Sequence, residues 1–260
     1  MTQNFPPKTG GIQTVMYSVA RDLGLMGNEV HVFPDHWFLG KEHFKVSNIV
    51  SPKIFRKYIK KLLLSLKDYD ESIVLCDTWK SVNAVPKKYK NIMVFAHGQE
   101  YLKLKNKKRI LSSLLRTKIL IASSKYTLDL IKNNWNISYL NSYIIYPTYH
   151  IKKKSFEKTP FNRVTKFISI CRIEKRKGLM QSLIALKRIA LQGYDFFWDI
   201  IGEGPQLLQL KKKCHELNLD SKVIFHGKVK SNKIKNNFLC NSDVCIMPSF
   251  QDKYSIEGFG

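Results

Sequence analysis

Acidic residues are scarce in this sequence. Only 20 Asp and Glu stand against 44 Lys and Arg, which leaves a formal charge of +24 over 260 residues. Long apolar runs are absent too. None approaches the roughly 20 residues that a membrane-spanning helix needs, so no such span is expected. The opening residues, Met1-Thr2-Gln3-Asn4-Phe5-Pro6-Pro7, hold no basic region followed by an apolar stretch, so no signal peptide is expected there. Cysteine is sparse: Cys76, Cys171, Cys214, Cys240 and Cys245 are odd in number, scattered and never paired as CxxC. That pattern speaks against a disulfide framework. It favours a reducing, cytoplasmic setting in which the thiols act as small apolar side chains. No short-period repeat or low-complexity segment interrupts the chain.

Hydrophobic residues make up 44% of the sequence, enough for a buried core. The positive excess is spread over both halves and is not a tail. Such a surface favours anionic partners: acidic lipid, phosphorylated ligands or nucleic acid. A general bias toward Lys, Asn and Ile accounts for much of the excess equally well. Nucleic acid is the weakest of the three partners, because the basic residues are dispersed and no zinc-finger spacing or RNP-like motif accompanies them.

Along the chain, strand patterns alternate with helix patterns. A loop at residues 5–11 leads into a helix from Ile12 to Met26, ended by Gly27-Asn28. Strands are predicted at Glu29–Phe33, Ser72–Cys76, Ile92–Ala96, Ile119–Ala122 and Tyr143–Tyr146. Ser123-Ser124 is placed to cap a helix from Lys125. Residues 53–67 form a basic amphipathic helix, with Ile54, Phe55, Tyr58, Ile59, Leu62, Leu63 and Leu66 on one face. Lys53, Arg56, Lys57, Lys60 and Lys61 lie on the other. The expected packing puts the apolar face in the core and leaves the charged face free to meet lipid. Residues 148–165, with Lys152-Lys153-Lys154 and Pro160, read as a linker. A second series follows: strands Phe167–Cys171, Phe196–Ile201, Val223–Phe225 and Val244–Met247, with helices at Gly178–Gly193, up to Leu217, and near 231–240. The alternation implies two Rossmann-like domains with parallel sheets, residues 1–147 and 166–260.

Ligands of such sheets bind at the carboxyl ends of the strands. Arg172-Ile173-Glu174-Lys175-Arg176-Lys177-Gly178 directly follows a predicted strand and precedes a helix. Two cations there can grip a diphosphate, helped by free N–H groups of the next helix. Gly202-Glu203-Gly204-Pro205 occupies the equivalent position after the next strand. Glu257-Gly258-Phe259-Gly260 sets a carboxylate beside glycines, suited to sugar hydroxyls and phosphate. Each segment alone also fits a solvated charge run or an ordinary turn.

Together, in order and spacing, these segments resemble glycosyltransferase family 4. They are Arg172…Lys177-Gly178, Ile201-Gly202-Glu203-Gly204-Pro205, Phe225-His226-Gly227-Lys228-Val229, Ser242 to Ser249, and Glu257-Gly258-Phe259-Gly260. Pro6-Pro7-Lys8-Thr9-Gly10-Gly11 and His97-Gly98-Gln99-Glu100 are similar to the family's N-terminal motifs. The resemblance is sharp from Phe167 onward and diffuse between residues 35 and 90. It implies an α/β GT-B fold, two Rossmann-like domains facing across a cleft, and a retaining enzyme that uses a nucleoside-diphosphate sugar.

The resemblance also implies roles. Arg172 and Lys177 would bind the donor diphosphate and stabilise it as leaving group, Gly10 and Gly11 would offer backbone to the same phosphates, and Glu257 would hold the sugar hydroxyls. His97 would face the donor sugar, unless it is a satisfied structural residue. Gly202, Gly204, Phe225, Gly227, Val229, Pro248, Ser249, Gly258, Phe259 and Gly260 would line the nucleotide and sugar; Asp243 reads as structural. No cofactor or metal is implied, and no clustered His/Asp ligand set is visible. The acceptor would be a saccharide or lipid-linked saccharide of a bacterial surface polysaccharide or lipopolysaccharide. Catalysis would then occur in the cytoplasm, peripheral to the anionic inner face of the membrane.

Two departures accompany the match. The family's second glutamate falls beyond Gly260, and little precedes the Pro6-Pro7 loop where a first strand is expected. The second domain is therefore expected to be incomplete. The alternative reading is a non-catalytic, truncated fragment or pseudoenzyme of the same family.

Overall fold

A computed structural model describes residues 1–40, 42–49, 51–66, 71–102, 106–147, 164–229 and 231–251. The chain divides into two compact α/β units, with the described residues up to 147 in one and those from 164 onward in the other. All three sheets among the described residues, one of two strands and two of four, are parallel throughout.

In the first unit, β1 (His31–Val32) pairs with β2 (Lys45–Val46). A four-stranded sheet runs in the order β3 (Val74–Cys76), β4 (Ile92–Ala96), β5 (Ile119–Ala122) and β6 (Asn141–Ile144). Its strands are short apolar runs because helices cover them: Ile92, Val94, Ala96, Leu120 and Ala122 are fully buried. The helices are α1 (Gly11–Leu25), α2 (Arg56–Ser65), α3 (Trp79–Val82), α4 (Lys107–Leu114) and α5 (Lys125–Trp135). Ser124 caps α5 as its sequence position predicts, accepting from the Thr127 amide at 3.1 Å. The short α3 and α4 lay outside the sequence reading, as did the two-residue β2. Trp79, Ile110 and Leu114 anchor α3 and α4 in the core.

The packing of α2 differs from expectation. Ile54, Phe55, Tyr58, Leu62 and Leu66 are exposed, and the buried side of the helix carries Lys60 and Leu64. Lys60 turns inward because it has partners there. Its ammonium pairs with Asp35 and donates to the Thr2 carbonyl at 2.7 Å. Burial lowers the Lys60 pKa and Asp35 opposes that shift.

Met1 and Thr2 bridge β1 and β3. The Met1 amine donates to the Leu75 carbonyl at 2.8 Å, the Asp77 amide donates to the Met1 carbonyl, and the Thr2 amide donates to the Phe33 carbonyl. A cavity of about 470 Å³ lies beside them, walled by Phe5, Met16, Val32, Leu64 and Val74. Asn28, Glu29, Glu71 and Ser72, which precede β1 and β3, also line it, so the cavity extends to the amino ends of these strands, opposite the carboxyl edge where ligands of such sheets bind.

In the second unit the strand order is β10 (Val244–Cys245), β7 (Thr165–Ile170), β8 (Phe196–Ile201) and β9 (Val223–Gly227). The helices are α6 (Leu179–Leu191), α7 (Leu207–Glu216) and α8 (Asn232–Cys240). Phe196, Trp198, Ile200, Leu183 and Leu210 form the core. Trp198 is completely buried, and its indole N–H donates to Ser169 Oγ at 3.1 Å. Ser169 in turn donates to the Ile246 carbonyl at 2.5 Å. The order steps outward from β7 to β9 and then returns to the other side of β7. That reversal is a topological switch point, which opens a crevice at the carboxyl ends of β7 and β10.

Cys76 tests the first core. Burial pushes its thiol up to about 12 from an ordinary 9.0. Between those values the unfolded chain loses the proton and the folded chain keeps it, so stability falls as pH rises above 9. In reducing buffer, the stability difference between wild type and Cys76→Ala is expected to shrink by about 1.4 kcal/mol per pH unit across that window. Urea unfolding at pH 8, 9 and 10 measures it, and parallel pH profiles would refute the assignment.

Candidate functional site

Each unit has a carboxyl sheet edge, and each edge is built differently. In the second unit the edge is knitted from backbone. After β7, the Cys171 amide donates to Ile201 O at 3.1 Å and the Ile173 amide to Glu203 O at 2.9 Å. The Gln206 amide returns to Ile173 O, the Gly202 amide reaches Gly227 O at 2.8 Å, and the Phe250 amide reaches Arg176 O at 2.9 Å. These bonds draw together the loops that carry Arg172, Gly202, Gly204, Gly227, Pro248 and Ser249.

The glycines serve this packing. A Cβ on Gly202 would fall 1.8 Å from Cys171 O, and one on Gly204 would fall 2.2 Å from Ile173 O. Gly178 adopts φ +71°, where a Cβ would fall 2.3 Å from Pro248 O. The sequence reading gave Gly202 and Gly204 to ligand approach; the geometry shows that these two, and Gly178, also permit close contact between loops.

Charge collects on the same edge. Arg172 is 70% exposed along its side chain, and its Nε lies 3.0 Å from Glu174. Arg176 grips the other oxygen of Glu174 at 3.2 Å. Glu174 was not singled out from sequence, because one acid inside a basic run gives no signal of its own. Lys177 is buried at 8% exposure, at the end of a single 3₁₀ turn formed by Lys175–Lys177. Gly178 follows it and opens α6 with no side-chain cap, so the first-turn amides of α6 sit beside Lys177. Phe225 packs on the core from β9, and Val229 lies just beyond that strand. Ser249 Oγ is shielded from solvent and has no hydrogen-bond partner among the described residues. Asp243 ties β10 to β7 through the Lys166 amide at 2.8 Å, consistent with its structural reading. Glu257, Gly258, Phe259 and Gly260 lie outside the described residues.

In the first unit the edge is organised by one side chain. Asp77, directly after β3 and fully buried, accepts from Thr2 Oγ1, the Gln3 amide, the Asn4 amide and Asn4 Nδ2, all at 2.9–3.1 Å to Oδ2. Its other oxygen takes the Ser81 hydroxyl at 2.5 Å. Five donors offset the cost of burying the carboxylate. They also fix the start of the loop that reaches Gly10 and Gly11. Gly10 precedes α1 with no side-chain cap, and no acid sits in its first turn. That leaves a bare, positive helix end.

His97 follows β4. Its Nε2 lies 3.1 Å from the Asp77 carbonyl, which can only accept, so this nitrogen carries the proton. The His97 amide donates to Glu100 Oε1 at 2.8 Å. Burial raises the Glu100 pKa, opposed by His97. His97 and residues 1–4, which begin the path toward Gly10 and Gly11, are thus linked through Asp77, a residue that sequence reasoning missed. Its one signal was position: an acid immediately after a buried strand. Among the described residues no group of three His, Cys, Asp or Glu could hold a metal ion.

Two substitutions separate the two edges. Asp77→Ala leaves several sheltered donors without an acceptor and is expected to lower stability by about 3 kcal/mol. Gly202→Ala forces the first two loops of the second unit apart, at a cost of about 2 kcal/mol or more. Urea unfolding monitored by tryptophan fluorescence measures both. A loss under 0.5 kcal/mol in either would show that the corresponding edge is not organised as described.

Residues 151–260 match the family model described as "Glycosyl transferases group 1". No curated protein matches the chain by sequence. Among solved structures, the apo lipopolysaccharide outer core galactosyltransferase WaaB superposes with a TM-score of 0.69 at 18% identity, over 97% of this chain and 74% of that one. WaaG, a glycosyltransferase involved in lipopolysaccharide biosynthesis, gives 0.69 at 14% identity, over 97% and 75%. Anabaena Alr3699/HepE in complex with UDP-glucose gives 0.61 at 13% identity, over 88% and 68%. The chain has the two-unit α/β fold of GT-B glycosyltransferases, and its second unit is similar to the group 1 glycosyl transferases.

Proposed function

We propose that this chain is a retaining glycosyltransferase of family 4. It would move a sugar from a nucleoside-diphosphate sugar to a saccharide or lipid-linked acceptor, in the cytoplasm and at the anionic inner face of a bacterial membrane. The product would be a surface polysaccharide or lipopolysaccharide. The observation that carries this reading is the second unit's sheet edge. There Arg172, Lys177 and the uncapped start of α6 meet at a topological switch point, beside the turns of Gly202, Gly204 and Gly227. The relative solved with UDP-glucose supports a nucleotide-sugar donor.

In this reading the bond from the anomeric carbon to the diphosphate oxygen breaks. A bond to the acceptor oxygen forms on the same face, and the hydroxyl proton leaves with the diphosphate. Negative charge grows on the diphosphate as the bond breaks. In this reading Arg172, Lys177 and the first-turn amides of α6 would stabilise that charge, by electrostatic catalysis with prearranged charge and without a metal. Arg172 must first leave Glu174. That exposed pair is worth only about 0–1 kcal/mol, so a diphosphate competes for the guanidinium with ease. Glu257 would hold the sugar hydroxyls, and His97 with Gly10 and Gly11 would serve from the first unit. Phe225, Val229, Pro248, Ser249, Gly258, Phe259 and Gly260 would line the nucleotide side.

Calorimetric titration with uridine and guanosine diphosphate sugars tests the reading. One donor should bind, and Arg172→Ala should weaken it about 10- to 100-fold, the worth of one charge-assisted contact. Arg172 is exposed, so its removal leaves the fold intact. Undiminished binding by Arg172→Ala would remove the diphosphate from this edge. Failure of every donor to bind would reject the function.

A further inference from the structure

We propose that the outer face of α2, with the turn leading into it, is a docking surface for an anionic lipid bilayer. Two ridges run side by side along this face at four-residue spacing. One is Lys53, Lys57 and Lys61, all exposed. The other is Ile54, Tyr58, Leu62 and Leu66, exposed at 74%, 61%, 59% and 75%, with Phe55 beside it at 56%. Five large apolar side chains exposed over thirteen residues form a cluster, beyond what scattered surface residues would give. The inner side of the helix is already occupied by Lys60 and Leu64, so these side chains cannot turn inward.

The chemistry selects the partner. Residues 51–66 contain no Asp or Glu, so the face has no group to pair with a basic protein surface or to repel phospholipid head groups. Apolar side chains flanked by lysines fit the boundary between acyl chains and anionic head groups. The lysine stems lie along the apolar layer and the ammonium groups reach the phosphates. Lys57 Nζ already sits 5.0 Å from the Tyr58 ring centroid, which brings cation and apolar surface together at one point. No helix among the described residues is long and apolar enough to cross a membrane, so attachment through α2 would be to one surface. The purpose, bringing the enzyme to a lipid-linked acceptor, rests on the proposed transferase reading; the docking itself does not.

Vesicle co-sedimentation of the full chain tests the docking. Vesicles of phosphatidylcholine with phosphatidylglycerol should carry the protein down at low salt, and vesicles of phosphatidylcholine alone should not. The combined variant Lys53→Gln, Lys57→Gln, Lys61→Gln should bind about a hundredfold more weakly, from the contribution of three surface lysines. The combined variant Ile54→Ser, Leu62→Ser, Leu66→Ser should lose the binding that persists at high salt. All six side chains are exposed, so both variants should keep the wild-type circular dichroism spectrum and melting temperature.

Absence of wild-type binding, or binding by both variants equal to wild type, overturns the proposal. So does a wild-type dimer that the serine variant dissociates, because the face would then be covered by a second copy. Donor titration of the same variants keeps the two proposals apart. Vesicle binding without donor binding rejects the transferase and leaves the docking surface standing; the reverse result rejects only the docking surface.

Discussion

A carboxylate cannot be buried without donors, and in the first unit that requirement shapes everything at the sheet edge. Asp77 sits at the end of β3 with no exposure, and it meets the requirement by gathering the chain's opening residues around itself. Thr2, Gln3 and Asn4 come from one side and Ser81 from the other. The peptide groups of the same residue take part as well: its amide holds Met1 and its carbonyl holds the His97 ring. Three stretches distant in sequence, residues 1–4, 77–81 and 97–100, thereby share one anchor. The path toward Gly10, Gly11 and α1 begins from that anchor, and Lys60 supports it from beneath through Thr2 and Asp35.

The second unit reaches a comparable end with almost no side chains. Its edge is a set of backbone bonds between successive loops, and glycine is required wherever two loops would collide. The two units therefore differ in what they tolerate. The first is sensitive to the loss of one acid. The second is sensitive to the gain of any side chain at Gly178, Gly202 or Gly204. Charge is carried on this frame by Arg172, Glu174, Arg176 and Lys177, and Arg176 also takes part in it through its carbonyl, which accepts from the Phe250 amide.

Much of the frame was legible in the sequence, and the exceptions have physical causes. Ile92–Ala96, Ile119–Ala122 and Phe196–Ile201 were read with their observed bounds, because each is an apolar run of strand length flanked by polar residues. The two-residue β2 and the single turn of α3 left no periodic trace; tertiary contacts, such as the buried Trp79, hold them in place. The face of α2 was misassigned because its pattern contains two plausible inward sides. The choice fell to Lys60, whose partners Asp35 and Thr2 are far away in sequence. At the candidate site, the positions of Arg172, Lys177, Gly202 and Gly204 after successive strands were legible because each segment directly follows an apolar strand run. Asp77 and Glu174 were not, since an isolated acid looks the same whether it organises a loop or faces water.

The thiols are divided unevenly between the two units. Cys76, the single cysteine of the first, is wholly buried and its ionisation is suppressed, whereas Cys240 and Cys245 in the second are exposed. A maleimide dye added to the unmodified chain therefore tags the second unit alone. Cys245 lies in β10, two residues ahead of Met247-Pro248-Ser249. The protein thus carries a native attachment point for a fluorescent reporter near the edge where Gly178 packs against Pro248, and no cysteine has to be engineered.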